Sequence, residues 1–526
     1  MVVLNRMADI VLINPKFEIS FWGLEHALPM FGKRAVMPVA ALPLLAALTP
    51  AEHRVTLIDE NVEPIDFDRC SRADIVGITG MIVQRHRMRE IVIELKRRGV
   101  YTVVGGPWIT VKQDYFEGLA DTIFVGEADE SWPRFLLDWR DGAPGRRYEQ
   151  KAQTDMSRVP TPRFNLLKLN RYAFGSLQVS RGCPFLCEFC DIIVMFGRKP
   201  RVKSSGQILA ELDNLRARKQ TTVFIVDDNF IGNKKAIRQI LSVIIGWQRL
   251  NGYPLAFFTE VSLDLADDAE LMRLMVEANI GAVFVGIETP NEDSLREMRK
   301  LQNVRAGGTM VEKVHRIQQA GMEVWAGMIV GFDNDDETIF DAQYRFLESA
   351  RINTAMLGML SAIPSTPLYA RLASEGRLDL SDNPSFGTNV VPLRMSREAL
   401  SRGYVQLMAD LYHPRAFFRR LDALFLAGNI EIHRGWQAYA AHHPWQRRTR
   451  HLWLWLEAFA ILARLLMLVP DRSLCRLYRR QFWRFARSQR NAAGARVYAM
   501  KCAAHYHMHK LAGMLEMRDH PLVNSF

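Results

Sequence analysis

Two successive series of short, β-branched apolar runs, separated by helical stretches, constrain this chain more than any other feature. The first lies between Asp9 and about Ala143 and comprises Ile10–Asn14, Val55–Asp59, Ile75–Thr79, Tyr101–Gly105 and Thr122–Gly126. Strands separated by helices pair in parallel through crossovers, and continuous apolar runs mean that both sheet faces are covered. Met88–Arg98 has helical periodicity and stops at Gly99, a C-cap. The expectation is an α/β, doubly wound, Rossmann-like domain with its ligand beyond the carboxyl ends of the strands. Those ends read Thr79-Gly80-Met81, Gly105-Gly106-Pro107-Trp108 and Gly126-Glu127-Ala128-Asp129. Glycines there let backbone approach a large ligand. Tight turns alone explain any one of the three, whereas three together indicate a binding face.

Residues 140–163 are rich in turn formers and read as a linker. The second series follows: Leu177–Ser180, Val223–Asp227, Ala256–Glu260, Val283–Glu288, Val324–Val330 and Ala355–Ser361. Its longer strand-helix repeat implies a partial β/α (TIM-like) barrel, with chemistry at the carboxyl ends of its strands. From about Asn383 the strand signals fade and helices dominate. The resulting division is 8–145, a linker over 146–168, a barrel over 169–380 and a helical part over 381–526. A mean hydropathy of -0.08, with 33 Gly and 23 Pro, excludes a polytopic membrane protein and a disordered chain.

Three of the six cysteines fall in one segment, Cys183-Pro-Phe-Leu-Cys187-Glu-Phe-Cys190, directly after the first barrel strand. Six in 526 residues are too sparse for a disulfide framework, and Met1–Ala8 followed by Asp9 lacks a signal-peptide pattern, so the expected compartment is the reducing cytoplasm. Thiolates so spaced converge on one soft metal centre, and three ligands leave one iron of a 4Fe-4S cluster open. Tetrahedral zinc would need a fourth ligand, and the nearest histidines are His86 and His315.

The C-x3-C-x2-C spacing at this place resembles the radical S-adenosylmethionine (SAM) superfamily. That resemblance implies Cys183, Cys187 and Cys190 as cluster ligands, with SAM on the open iron. It places Asp227 and Asp228 against the methionyl amine, although an N-cap and turn also suits that pair. Glu260 and Glu288 look like ribose or substrate-side contacts. Gly327-Met328-Ile329-Val330-Gly331 is similar to the fifth-strand motif, in which the apolar residue between the glycines, Ile329, packs on adenine. A doubly wound domain ahead of such a barrel resembles the cobalamin-binding class, with Thr79, Gly80, Gly105, Gly106, Pro107, Gly126 and Glu127 against the corrin. No Asp-x-His-x-x-Gly occurs in residues 1–150, so the cobalt would lack a protein histidine. His86 reads as a solvated helix position.

The whole resembles the cobalamin-dependent radical SAM methyltransferases, and Val226–Asn233, Gly286–Pro290 and Cys187–Asp191 are most similar to the hopanoid C-2 methylase group. Such enzymes move a methyl group from SAM, through cobalamin, to an unactivated carbon, with a flavodoxin- or ferredoxin-type protein as electron donor. The two domains should then face each other across the barrel mouth. Residues 446–490 hold eleven Arg, no Lys and only Glu457 and Asp471, so nearly all of the net charge of +11 sits there. Glu457 and Arg464 interrupt the apolar stretch Leu452–Val469, which reads as an interfacial helix rather than a spanning one. This suits peripheral contact with an anionic membrane and a lipid substrate. Rival readings are a porphyrin ring cyclase, a natural-product methylase, and a cobalamin or redox sensor that binds nucleic acid. Interleaving of the arginines with apolar runs argues against a phosphate-backbone partner. His505, His507 and His509 read as scattered solvated residues.

Overall fold

The computed structural model describes residues 7–517 apart from 306, 429 and 490. Most of the Met1–Ala8 stretch and the end of the 446–490 segment therefore lie outside the described residues. The first sheet contains β1 (Asp9–Asn14), β2 (Arg54–Asp59), β3 (Ile75–Thr79), β4 (Thr102–Gly105), β5 (Thr122–Val125) and β6 (Arg147–Glu149). All are parallel, in the order β2-β1-β3-β4-β5-β6. Strand order reverses between β1 and β3, and in doubly wound sheets the ligand crevice opens at that switch point. The strand β6 corrects the expected boundary at 145, since residues assigned to the linker complete the sheet. It is short and polar, with only Tyr148 buried.

The second domain contains β7 (Gly175–Leu177), a small antiparallel pair β8 (Ser180–Arg181) and β9 (Arg201–Val202), then β10 (Thr222–Ile225), β11 (Ala256–Val261), β12 (Ile280–Glu288), β13 (Glu323–Val330) and β14 (Ala355–Met359). The parallel order is β14-β13-β12-β11-β10-β7, which leaves two free edges and so only part of a barrel. Its helices begin and end where local chemistry dictates. Ser204 with Gln207, and Thr309 with Glu312, form capping boxes, and Gly321 at φ 110° ends the helix Met310–Ala320.

The helical part closes the β14 edge. Helix Arg397–Tyr412 packs on β14, and the Tyr412 hydroxyl bonds both backbone groups of Ala355. Helix Ala492–Glu516 sends Lys501 to Glu323 at 2.5 Å and to the Thr354 hydroxyl at 3.0 Å. Barrel and C-terminal helices share one apolar core, from Leu177 to Leu515.

Helix Pro444–Leu468 is 25 residues long with a window of mean hydropathy 1.6, apolar and long enough to cross a bilayer by length and composition. Its two internal charges are met within the protein: Arg496 pairs with Glu457, and Arg464 reaches the Met30 carbonyl. Its stripe Ala458, Ile461, Leu462 and Leu465 is buried, and the helix packs chiefly against Ala492–Glu516. The opposite side leaves Trp445, Leu452, Trp453 and Met467 exposed.

The C-terminal histidines are not solvated. His505 and His507 are fully buried. At His505, Nε2 donates to the Tyr412 carbonyl at 3.1 Å, so Nδ1 must accept from the Tyr478 hydroxyl at 2.8 Å. At His507, Nε2 donates to the Ser20 carbonyl while Nδ1 accepts from the His26 amide. Both rings are thus locked neutral, and burial pushes them down to about 3 and about 4 respectively. The unfolded chain takes up these protons below about pH 6.5 and the folded chain resists. Stability is therefore complete above that pH, and each ring removes about 3 kcal/mol by pH 4. Thermal unfolding across this range should show the loss, and His505→Gln should flatten its share.

Candidate functional site

The pair β8–β9 sets Arg181 opposite Arg201 and so closes the base of the loop that carries the cysteines. Gly182 has φ 93°, and a Cβ there would lie 3.0 Å from the carbonyl oxygens of Gly197 and Lys199. Only glycine fits this crossing. The loop is tied to the barrel rim by Glu188, whose amide donates to the Met298 carbonyl and whose carbonyl accepts from Leu368, both at 3.1 Å. Cys187 is buried, and Cys183 and Cys190 are half-buried. Burial pushes the Cys183 and Cys190 thiols up, and the neighbouring Cys187 adds to each. The Asn229 amide lies 3.9 Å from the Cys183 sulfur, and the Gln302 amide 3.6 Å from that of Cys187.

Among the described residues no three His, Cys, Asp or Glu side chains are drawn together around a single ion. The zinc alternative thus finds no fourth ligand: His86 bonds Asn383, and His315 bonds the Ser349 carbonyl. A cubane distributes its thiolates over separate irons, so its sulfurs stand farther apart than the ligands of one ion. A soft triplet with amide donors aimed at two of its sulfurs fits that group.

Four carboxylates gather at the carboxyl ends of β10, β11 and β12. Asp227 is buried, and its two oxygens accept from the Val179 amide and the Ser180 hydroxyl, each at 2.7 Å. The carboxylate, expected at a ligand amine, thereby also fixes the bend between β7 and β8. Asp228 accepts from the Gly182 amide at 2.9 Å and is pushed up to about 7, chiefly by burial. Burial and the neighbouring carboxylates push Glu260 up to about 8. Glu288 is buried, takes the left-handed φ of 64°, and is ion-paired with Lys300. A Cβ on Gly286 would strike both members of that pair, so glycine makes room for it. Lys300 is held protonated by Glu288 and by the thiols of Cys187 and Cys190.

Ile329, expected on a base, is 3% exposed and sits in an apolar cluster with Phe332, Leu360 and Leu368. The Gly331 amide donates to Asp335, and a Cβ there would lie 2.9 Å from Leu400. Gly331 thus serves a packed turn.

In the first domain, Thr79, Gly80, Gly105, Gly106 and Pro107 line the ends of β3 and β4. Gly106 has φ 98°, and a Cβ would lie 2.4 Å from the Thr79 hydroxyl and 3.0 Å from the Gly80 amide. The glycines therefore let adjacent loops touch each other. Beside them, Met81 is 46% exposed and the buried Trp108 indole N–H has no partner. A broad apolar ligand carrying carbonyl acceptors fits both. The Gly126 amide donates to the Thr110 hydroxyl at 3.1 Å. Glu127, expected against the corrin, accepts from Arg181 at 2.9 Å, Arg201 at 3.0 Å and the Thr154 amide at 2.8 Å, and so joins the first domain to the barrel.

The two domains meet at the barrel mouth through further contacts. The Ser365 hydroxyl donates to the Val111 carbonyl at 3.4 Å, and Ile363 packs on the core of the first domain. Asp382 accepts from Arg85 and Tyr115 at 3.0 and 3.1 Å. His86, expected in solvent, bonds Asn383 at 2.9 Å. Sequence reasoning missed Arg181, Arg201, Lys300 and Gln302, which no local motif marks. It quoted Asn229 and Asp129 only as parts of longer motifs, without the partners that give them a role.

Residues 34–136 match a B12 binding domain, 177–343 the radical SAM superfamily and 366–519 a domain of unknown function (DUF4070). An uncharacterized methyltransferase of Synechocystis sp. is 40% identical over 79% of this chain and 78% of its own. The hopanoid C-2 methylase of Rhodopseudomonas palustris is 33% identical over 78% of each chain. Among solved structures, the cobalamin-dependent SAM radical enzyme OxsB, with aqua-cobalamin and SAM bound, superposes with a TM-score of 0.60 at 15% identity, over 98% of this chain and 80% of that one.

The carboxylate rim has a consequence for pH. With Asp228 pushed up to about 7 and Glu260 to about 8, the two carboxyls lose their protons as pH rises through those values. A ligand that brings positive charge to them favours the ionised forms, so it binds more tightly as pH rises. Calorimetric titration of the anaerobic protein with SAM should show affinity rising about tenfold from pH 6 to pH 8, with proton release; Glu260→Gln should remove much of the slope.

Proposed function

The chain belongs to the cobalamin-dependent radical SAM methyltransferases, and from that premise we propose that it methylates an unactivated carbon of a membrane lipid of the hopanoid kind. Its cofactors are a 4Fe-4S cluster, SAM and cobalamin. Together these groups supply hydrogen abstraction from an unactivated carbon and a carrier for the methyl group, and the protein supplies orientation and exclusion of water. In this reading Cys183, Cys187 and Cys190 hold three irons. Asn229, Gln302 and Lys300 steady the thiolate charge through amide and ammonium groups. Asp228, Glu260 and the Glu288–Lys300 pair form the polar rim that orients SAM. Thr79, Gly80, Gly105, Gly106, Pro107 and Gly126 frame the face for the corrin. A small flavodoxin- or ferredoxin-type protein delivers the electron.

The observation that carries the lipid reading is the outer face of the C-terminal helices. Trp445, Leu452, Trp453 and Met467 are each at least 60% exposed. Trp455, Phe459 and Trp483 continue the patch and line a shelf with Arg487. The shelf runs into an open groove of about 1000 Å³ along helix Arg472–Gln489, lined by Arg476, Arg479, Arg480 and Arg487 around Trp483. Contiguous exposed aromatics beside unneutralised arginines match the headgroup boundary of an anionic bilayer, where each arginine contributes about 1 kcal/mol. The identity to hopanoid C-2 methylase supports the same substrate class. We place the protein at the inner face of the cytoplasmic membrane, with no nucleic acid partner.

The function is tested by comparing lipid extracts of cells with and without the protein. A methylated lipid should appear, and should vanish in the triple Cys183, Cys187, Cys190→Ala protein; identical extracts would refute the lipid substrate. Docking is tested by flotation with phosphatidylglycerol and phosphatidylcholine vesicles. The full chain should float with the anionic vesicles alone, and Trp453→Ala with Arg480→Gln should reduce the bound fraction severalfold.

A further inference from the structure

Four buried charged side chains join the two domains at the base of the cysteine loop. Arg181 and Arg201 face each other on β8 and β9, with side chains 6% and 10% exposed. Like charges directly opposite on an antiparallel pair repel, and burial strengthens the repulsion. Their counter-charges come from the other domain. Glu127, 4% exposed, lies within 3.1 Å of both guanidinium groups, and Asp129, 8% exposed, accepts from Arg181 at 2.7 Å. The linker joins the same knot: Thr154 donates its amide to Glu127 and its hydroxyl to Asp129, and its carbonyl accepts from Arg201 at 2.7 Å. From Arg181 the chain passes through Gly182, whose amide is fixed by Asp228, directly into Cys183.

We infer that the Glu127–Arg181–Arg201–Asp129 knot is a positioning device that fixes the cysteine loop, and hence its cluster, at one distance and orientation relative to the cobalamin of the first domain. Two cofactors held on separate domains must share a substrate, and the knot is where the cluster's loop and a strand end of the cobalamin sheet are bonded to each other. Glu127 and Asp129 touch no reacting atom. They act through Arg181 and through the repulsion they neutralise.

The test needs no knowledge of the substrate. In holoenzyme reconstituted anaerobically with iron, sulfide and cobalamin, then partly reduced, the cluster and cob(II)alamin each carry an unpaired spin, and pulsed EPR reads the distribution of distances between them. Glu127→Gln should at least double the width of that distribution, with iron, sulfide and cobalamin contents unchanged and 5′-deoxyadenosine release from SAM within twofold of the unaltered enzyme. Asp129→Asn, which leaves Glu127 between the arginines, should broaden it by less, and decides the matter if Glu127→Gln does not load. An unaltered distribution in the loaded variants, even with a lowered melting temperature, would reduce the knot to a stability element and overturn the inference. So would a tenfold loss of 5′-deoxyadenosine release, which would place its role within the cluster loop.

Discussion

Two arginines on adjacent strands, with their carboxylate partners in another domain, set the terms for the rest of this molecule. The cysteine loop can close only if Ser180–Arg181 meets Arg201–Val202, and that ladder faces one cation with another. Neutralisation from Glu127 and Asp129 makes the loop's geometry dependent on the first domain being docked. Buried ion pairs of this kind contribute little net stability against an apolar replacement, yet losing one member costs about 3–5 kcal/mol because a bare charge remains. The arrangement is therefore better understood as fixing one geometry than as strengthening the fold. Arg181 is held protonated despite burial because both carboxylates lie against it.

The same logic, with the sign reversed, governs the barrel rim. Asp228, Glu260 and Glu288 crowd the strand ends with a single neighbouring ammonium, Lys300, to balance them. Excess negative charge in a half-buried rim is held by protons until a cation replaces them. Lys300 is itself drawn in two directions, toward Glu288 and toward the thiols of Cys187 and Cys190. The left-handed backbone of Glu288 and the missing side chain of Gly286 are the local adjustments that let this ammonium reach the rim.

Much of this was legible in the sequence, and the failures share a cause. Continuous apolar runs located the long strands of both sheets, because burial on two faces leaves no freedom in pattern. The strand β6 escaped because an edge triplet Arg-Tyr-Glu buries one side chain. The cysteine triplet announced its chemistry by spacing alone. Glu127 and Ile329 were found at the right strand ends, without the neighbours that the structure gives them. A carboxylate at such an end reads the same whether it meets a corrin or a guanidinium 54 residues away. An isoleucine between two glycines reads the same against a base or against Phe332. The histidines were misread for want of a wider window. Helix Ala492–Glu516 is apolar around most of its circumference, which marks a helix covered on all sides.

The covering of the β14 edge by helices from the end of the chain has a bearing on biosynthesis. Glu323 lies buried in β13, yet its ammonium partner is Lys501, and the hydroxyl that caps the Ala355 backbone belongs to Tyr412. Until those helices have been made, the nascent barrel presents an unpaired strand edge and a carboxylate with no counter-charge. Such an edge is sticky, so the barrel depends for its cover on segments synthesised well after its own strands.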